Sequence, residues 1–333
     1  MKIKVEELED LIRTSLSKKY SKEEIDLIIP ILMFGELSGR STHGILRAVT
    51  GEVAILARKP KGKPKRLRTS NVSEVIDGLG NPGMLVGNIC CDDVIEVAKK
   101  EGIGIVGSRG SIGSCGSLSY YCEKIAKENL IGLIMARAPA DIAPYGGLER
   151  LFGTNPIAFG IPTKTKPLIF DMATSGISYG AVLEAKAQGK ELPEGVAIDN
   201  KGKITRDPDL SLQGAFLPFD RSYKGAGLAM MVEILAGILT GADFADMRIG
   251  DEWGNTFIAF KPELLSDIKE FKNRVSLFVE RVRNSKTIDG FKVRISGEST
   301  IEKRDKAIRD GFVEVDGKLL KRLEEYIKTG KLK

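Results

Sequence analysis

VIEVAKKEGIGIVG, residues 94–107, carries glycines at positions 102, 104 and 107, the G-x-G-x-x-G spacing of a phosphate-cradling turn. Such a turn needs a strand before its first glycine and a helix opening at its third. Here the order is reversed. The charged, helix-periodic VIEVAKKE comes first, and Ile103, Ile105 and Val106 between the glycines read as the strand itself. Gly102 then ends a helix, and Gly104 and Gly107 let a strand enter a crowded sheet. The stretch argues for a helix-to-strand junction and against a classical Rossmann loop.

Working outward, short apolar strands alternate with helical segments: SEVIDG, a helix over Leu85–Lys100, GIGIVG, a helix over Leu118–Glu128, then IGLIMA. Further strands are expected at NPIAFGIP and PLIFDMA. Helices are expected at Tyr179–Ala187 and Gly225–Leu239, with a long charged one at Pro262–Asn284. The amino-terminal part reads as helices over Val5–Lys18, Ile25–Leu37 and Ile45–Ala57, the second opened by a Ser21/Glu24 capping box. Leu319–Lys328 is again helical. These readings divide the chain into a helical segment 1–70, an α/β body 71–300 and a helical segment 301–333 that packs back on the body.

At 333 residues and 42% hydrophobic content, the chain is long enough to bury a substantial core. No run of eighteen apolar residues occurs and the charged start MKIKVEELEDLIRTS is unlike a secretory signal, so no membrane and a cytoplasmic location are expected. Four cysteines without a CxxC pair and one histidine do not make an ordinary zinc set, so free thiols and no metal are expected. The net charge of +6 suits anionic small molecules as well as nucleic acid. The sharpest basic run, KPKGKPKRLR over Lys59–Arg68, has two prolines, a glycine and no aromatic residue. It reads as a solvated loop, and no nucleic-acid partner is expected.

The single histidine, His43, lies in ELSGRSTHGILR, residues 36–47. A lone histidine is more often structural than catalytic, but its neighbours supply the parts of a site. Thr42 offers a hydroxyl, Gly44 allows close approach to the backbone, and Arg47, one helical turn on, presents a fork to a carboxylate. Together they suit binding a 2-oxo acid and protonating its carbonyl oxygen. On these residues alone a capped helix start with an exposed arginine remains the alternative. Any activity limb between about pH 5 and 8 falls to His43, with cysteine and the terminal amine as the other candidates.

The same stretch resembles the D-x-x-G-x-x-S-H-G-x-x-R signature of the type-2 malate/L-lactate dehydrogenase family, which also holds sulfolactate, ureidoglycolate, diketogulonate and cyclic-imine oxidoreductases. PYGGLERLFGTNPIAFGIP (144–162), FDMATS (170–175), LPEGVAIDNKGKITRDP (192–208), LPFDRSYKGAGLAMMVEILAGILTGA (217–242) and ISGE (295–298) match in the family's order, across nearly the whole chain. The resemblance implies an α/β fold of the L-sulfolactate dehydrogenase type, a mixed sheet outside the Rossmann class, and commonly a homodimer. It implies NAD(H) or NADP(H) against Asp171, Met172 and Ala173, against Lys224 and Gly225, and against Ser296, Gly297 and Glu298. Substrate roles carried over are His43 as proton donor or acceptor, Thr42 beside it, Arg47 on the carboxylate, and Thr154.

The chain also departs from the family. The second histidine of an N-S-x-H-x-G segment falls near Gly113 or Ser114 and is absent; Gly51, Arg137 and Ala181 stand where a tyrosine, an asparagine and a relay acid or lysine are usual. Arg137 is a candidate for a second anionic group, with an ion-paired arginine as the alternative. The expected reaction is NAD(P)-dependent interconversion of a small anionic 2-oxo acid and its 2-hydroxy acid. Reduction of a cyclic imino acid, or nucleotide binding without turnover, are the alternatives.

Overall fold

The computed structural model describes residues 1–51, 54–58, 60–247 and 252–332. The chain begins with β1 (Lys2–Lys4), α1 (Val5–Leu16), α2 (Lys22–Leu37), a 3-10 turn at Ser41–His43 and the single turn α3 (Leu46–Val49). Next come β2 (Lys65–Thr69), β3 (Ser73–Asp77), α4 (Gly83–Glu101), β4 (Ile103–Ile112), α5 (Leu118–Lys127) and β5 (Ile131–Arg137). Then follow β6 (Ala140–Ile142), β7 (Phe152–Gly153), β8 (Ile157–Ile161), β9 (Leu168–Met172), α6 (Tyr179–Gln188), β10 (Ala197–Ile198), α7 (Pro208–Gln213) and β11 (Ala215–Phe216). The chain finishes with α8 (Tyr223–Ala236), β12 (Glu252–Phe260), α9 (Ile268–Arg283), α10 (Glu298–Asp310), β13 (Phe312–Glu314) and α11 (Gly317–Thr329).

The helix-to-strand junction forms as its glycines require. Gly102 caps α4 at φ +90°, and a Cβ on Gly104 would stand 2.9 Å from the Val94 carbonyl, so α4 lies directly on the backbone of β4. The principal sheet runs β2-β3-β4-β12-β5-β8-β9. Only β3 and β4 pair in parallel; every other neighbour is antiparallel. The sheet is therefore mixed, and no βαβ phosphate loop exists at residues 102–107. Its central strand, β12, escapes the sequence reading because Asn255 and Thr256 interrupt the apolar pattern. Both are buried and bonded, Asn255 Nδ2 donating to Ser108 Oγ at 3.1 Å and Thr256 Oγ1 to the Leu235 carbonyl at 2.7 Å.

Other elements differ in detail from the sequence reading. The Ser21/Glu24 capping box is present, and α2 continues through Pro30. The third amino-terminal helix is only α3 plus a 3-10 turn at Ile55–Ala57, with residues 52 and 53 outside the described set. The long charged helix starts at Ile268 after a separate 3-10 turn at Pro262–Leu264. The basic run is part strand: β2 pairs antiparallel with β3 from Lys65 onward, and the charges of Lys65 and Arg66 make this edge strand a poor template for further strands. Helix α10 falls largely within the expected helical segment 301–333 but was not delimited in the sequence, its charged, half-exposed stretch having little apolar periodicity.

The core does not divide at the boundaries read from the sequence. One hydrophobic cluster joins Leu8 and Ile12 of α1, Ile28 and Leu32 of α2, Val94 of α4, Ile134 of β5, and Leu323 and Tyr326 of α11. Strands β1 and β13 pair antiparallel and bring the two ends of the chain together. A smaller lobe, built on the sheet β10-β11-β6-β7, has its own core of Ile142, Val182, Leu192 and Phe216. Arg304 of α10 ties the carboxyl-terminal segment to the body through a two-pronged pair with Glu123 of α5, at 2.7 and 2.9 Å. Arg304→Ala should lower stability by about 2 kcal/mol, below the usual penalty for breaking a buried pair because Lys127 still faces Glu123 at 2.7 Å. A shift of the urea midpoint at constant slope measures it.

Candidate active site

The carboxyl end of α2 shapes the His43 loop. A Cβ on Gly35 would come within 2.6 Å of the His43 carbonyl, so the loop lies against bare helix backbone. Gly39 takes φ +67°, and the Arg40 amide turns back to donate to the Gly35 carbonyl at 2.8 Å. Glu36, buried at 3% exposure, accepts from the Ile45 amide at 2.6 Å, midway between His43 and Arg47. Its carboxyl fills the space that a side chain at Gly44 would need. Burial pushes the Glu36 carboxyl up to about 7, against the lowering effect of the Ile45 amide. Glu36→Ala orphans that amide and opens the loop; we expect turnover to fall about tenfold, with Glu36→Gln retaining most of it because the acceptor oxygen remains. Steady-state kinetics of both variants is the measurement.

Within the loop, His43 Nδ1 and Thr42 Oγ1 are 3.1 Å apart, which leaves Nε2 as the ring nitrogen for a ligand. Arg47 Nε donates to the Thr42 carbonyl at 2.7 Å, fixing the guanidinium in the cleft wall. Among the described residues no carboxylate pairs with Arg47, and burial lowers its pKa. A desolvated guanidinium without a counter-ion is a ready anion receptor. The pKa of His43 is lowered to about 4, first by burial and then by the positive charges of Arg47 and Arg40, with Asp171 opposing them. The resting imidazole is therefore neutral and able to accept a proton.

The cleft around this pair has a volume of about 640 Å³. Ser114, Thr154, Met172 and Ala173 line it, as do Tyr179 and Gly180 of α6. Gly180 is where α6 meets Thr42: a Cβ there would be 2.9 Å from Thr42 Cγ2. Asp171 also lines the cleft, but its Oδ2 takes hydrogen bonds from Ser119 Oγ at 2.7 Å, Ser119 N at 3.0 Å, Ser117 Oγ at 3.2 Å and Arg40 at 3.3 Å. Arg40, Arg150 and Trp253 are among the lining residues not singled out in the sequence. Arg40 sits inside the quoted motif at a position its pattern leaves open. Arg150 is held by the Gly214 and Leu212 carbonyls. Trp253, the one tryptophan of the chain, lines the cleft from β12, beside a bulge between Trp253 and Asn255.

Not every expected residue joins the cleft. Arg137 is fully buried, does not line it, and donates to the Glu252 carbonyl at 2.6 Å, its aliphatic stem packed beneath Gly237. The expectation that Arg137 binds a substrate anion is therefore corrected: β5 turns the side chain into the layer between sheet and α8. Ser296 and Glu298 line a separate groove with Leu168 of β9, and Gly297, at φ +84°, packs against the Ile169 carbonyl. Lys224 and Gly225 line neither cavity. They open α8, where the Gly225 amide already donates to the Asp220 carboxylate at 3.1 Å and Lys224 is exposed. Strand β9 thus reaches both cavities, Leu168 lining one and Asp171 and Met172 the other, about 10 to 13 Å further along the strand.

The cysteines are buried and Cys115, the one beside Arg47, is pushed up to about 12 by burial, so no thiol titrates near neutrality in the cleft. Among the described residues no cluster has the makings of a metal site.

The family model for malate/L-lactate dehydrogenase matches residues 3–324. The L-sulfolactate dehydrogenase of Methanocaldococcus jannaschii is 35% identical over 320 residues, covering 92% of this chain and 91% of its own. Its solved structure superposes with a TM-score of 0.87 over 98% of each chain. A malate dehydrogenase from Entamoeba histolytica, 27% identical, gives 0.91 over 99% of this chain and 98% of its own. The ureidoglycolate dehydrogenase (NAD(+)) of Escherichia coli is 28% identical over 329 residues, 95% of this chain and 93% of its own. With the non-Rossmann mixed sheet and the ordered motifs, these findings establish that the chain belongs to the malate/L-lactate dehydrogenase family.

Proposed function

We propose that this protein is an NAD(P)-dependent oxidoreductase that interconverts a small anionic 2-oxo acid and the corresponding 2-hydroxy acid. One observation carries the substrate class: Arg47, a desolvated guanidinium with no carboxylate partner among the described residues, is locked by Thr42 beside His43 in one cleft. Arg47 receives the substrate carboxylate through paired hydrogen bonds and so sets the neighbouring carbon and oxygen against the imidazole. In the oxidative direction neutral His43 accepts the hydroxyl proton; in the reductive direction its protonated form returns a proton to the carbonyl oxygen. Thr42 holds the ring in one orientation through Nδ1. The nicotinamide, when bound, supplies or accepts the hydride. Asp171, Met172 and Ala173 in the cleft, with Ser296 and Glu298 in the second groove, are the residues that would hold it. Trp253 and the side-chain-poor Gly113–Ser114 segment shape the wall facing the substrate.

NADH and NADPH oxidation, followed at the nicotinamide absorbance across 2-oxo acids and cyclic imines, tests this reading. Turnover of at least one 2-oxo acid supports it. Turnover confined to cyclic imines would move the reaction to C=N reduction, and cofactor binding without any turnover would leave a nucleotide-binding protein.

We also propose a homodimer built on α8. The stretch Tyr223–Thr240 is long and apolar enough to cross a membrane by length and composition, yet Ala229, Val232 and Ala236 pack onto the sheet with no exposure. Its outer side leaves Met230, Met231, Ile234, Leu235, Ile238 and Leu239 at 37–63% exposure. A continuous apolar face of this kind is normally covered by a partner, and a second copy can cover it about a two-fold axis. Leu239→Lys should shift the species measured by light scattering from dimer to monomer.

A further inference from the structure

We propose that Arg40 binds a second anionic group at the far end of the substrate, opposite the carboxylate held by Arg47, so that this protein prefers 2-oxo acids carrying a terminal carboxylate or sulfonate. This rests on the reading of the cleft as a 2-oxo acid site. Three observations carry it. First, the 3-10 turn Ser41–His43 and the turn α3 place Arg40 and Arg47 on either side of His43 in sequence, and both guanidiniums line the same cleft. Both act electrostatically on the imidazole, so two positive charges, not one, bear on the cleft around it.

Second, Arg40 is only loosely retained. Its ion pair with Asp171 uses one Nη at 3.3 Å, and its side chain is 35% exposed. Asp171 does not depend on that contact, because Ser119 and Ser117 supply three shorter hydrogen bonds to the same oxygen. The guanidinium can turn from Asp171 to a ligand without orphaning a buried carboxylate. Arg150, the third arginine of the cleft, is less free, with Nε and Nη2 committed to two backbone carbonyls. Third, the cleft is larger than a three-carbon acid and a nicotinamide ring require, and the residues at 113 and 114 contribute little side chain to it. The extra space and the movable charge lie in the same cavity.

The test compares dianionic with monoanionic substrates: oxaloacetate and 3-sulfopyruvate against pyruvate and 2-oxobutyrate, in the wild type and in Arg40→Gln. In the variant, KM for the dianions should rise about tenfold to a hundredfold, while KM for the monoanions changes less than about twofold and NADH affinity, read from quenching of Trp253 fluorescence, is unchanged. Arg40→Lys should recover part of the loss, since the charge returns without the fork. Equal changes for both substrate classes, or no change for either, would overturn the proposal. So would a wild type that takes pyruvate as readily as oxaloacetate. Weakened NADH binding would place Arg40 on the cofactor instead, overturning it as well. A wild type that binds NADH but neither turns over nor binds any 2-oxo acid in the Trp253 assay refutes the reading of the cleft itself, and this proposal with it. Thermal unfolding of both variants at the wild-type midpoint shows that the comparison concerns the site and not the fold.

Discussion

His43→Ala is expected to lower turnover by about a hundredfold to ten-thousandfold, the range associated with loss of a general acid or base, while Trp253 quenching by NADH stays at its wild-type affinity. The pH dependence identifies the group. Burial, Arg47 and Arg40 lower the imidazole to about 4 in the free protein, below the range of about pH 5 to 8 expected for an unperturbed histidine. For oxidation, which needs the neutral base, kcat/KM should rise with pH through about 4 and level off above it. For reduction, which needs the protonated acid, kcat/KM should fall as pH rises through the same value. In the complex the substrate carboxylate neutralises Arg47, the largest charge effect on the ring, so the limb in kcat should lie at higher pH than the limb in kcat/KM. Stopped assays in both directions give both profiles. An alanine variant with wild-type turnover and wild-type profiles would make His43 a structural residue.

Arg47→Lys should raise KM for every carboxylate substrate by about tenfold to a hundredfold even though the charge is kept. The ammonium lacks the fork that addresses two oxygens, and it lacks the Nε donor that ties the side chain to the Thr42 carbonyl. That bond also restrains the backbone next to His43, so turnover should fall alongside the rise in KM. Arg47→Ala removes the receptor altogether, and kcat/KM should drop by about a thousandfold or more, the cost of losing a paired, desolvated contact in the transition state. A substrate amide replacing the carboxylate should respond much less to either change. Wild-type constants for Arg47→Lys would remove this arginine from the site.

The residues of the proposed site were legible where chemistry and chain order coincide. His43, Thr42 and Arg47 lie within six residues of one another, and the structure brings them together with Thr154, Met172 and Ala173. Arg137 misled because a charged residue in a strand was read as facing a ligand. Its direction is set by the alternation of β5, which turns it beneath α8, and sequence alone does not number that alternation from the cleft. Trp253 was missed because its strand was missed: β12 carries buried Asn255 and Thr256, whose partners Ser108 and the Leu235 carbonyl come from distant segments. Asp171 was assigned to the cofactor by resemblance, and the serines that occupy its Oδ2 were invisible before folding placed Ser117 and Ser119 beside it. Lys224 presents the converse case. Its motif is present, but Asp220 already occupies the helix start, so a phosphate there would compete with a carboxylate for the Gly225 amide. Such contacts between distant segments leave no periodic trace.

The position of β12 governs the order in which this molecule can assemble. The strand lies between β4 and β5, yet it is drawn from residues 252–260, more than a hundred positions after either neighbour. A chain emerging from the ribosome has made β3, β4, β5, β8 and β9 long before the strand that joins the two halves of their sheet exists. Until it inserts, the facing edges of β4 and β5 expose unpaired amides and carbonyls beside apolar side chains, the kind of surface on which strands of other chains add. Closing the sheet also means pairing segments more than a hundred positions apart, a non-local step that slows folding. The wall that Trp253 contributes arrives in the same event, so competence for binding and completion of the sheet coincide, and a nascent or truncated chain ending before residue 252 has neither.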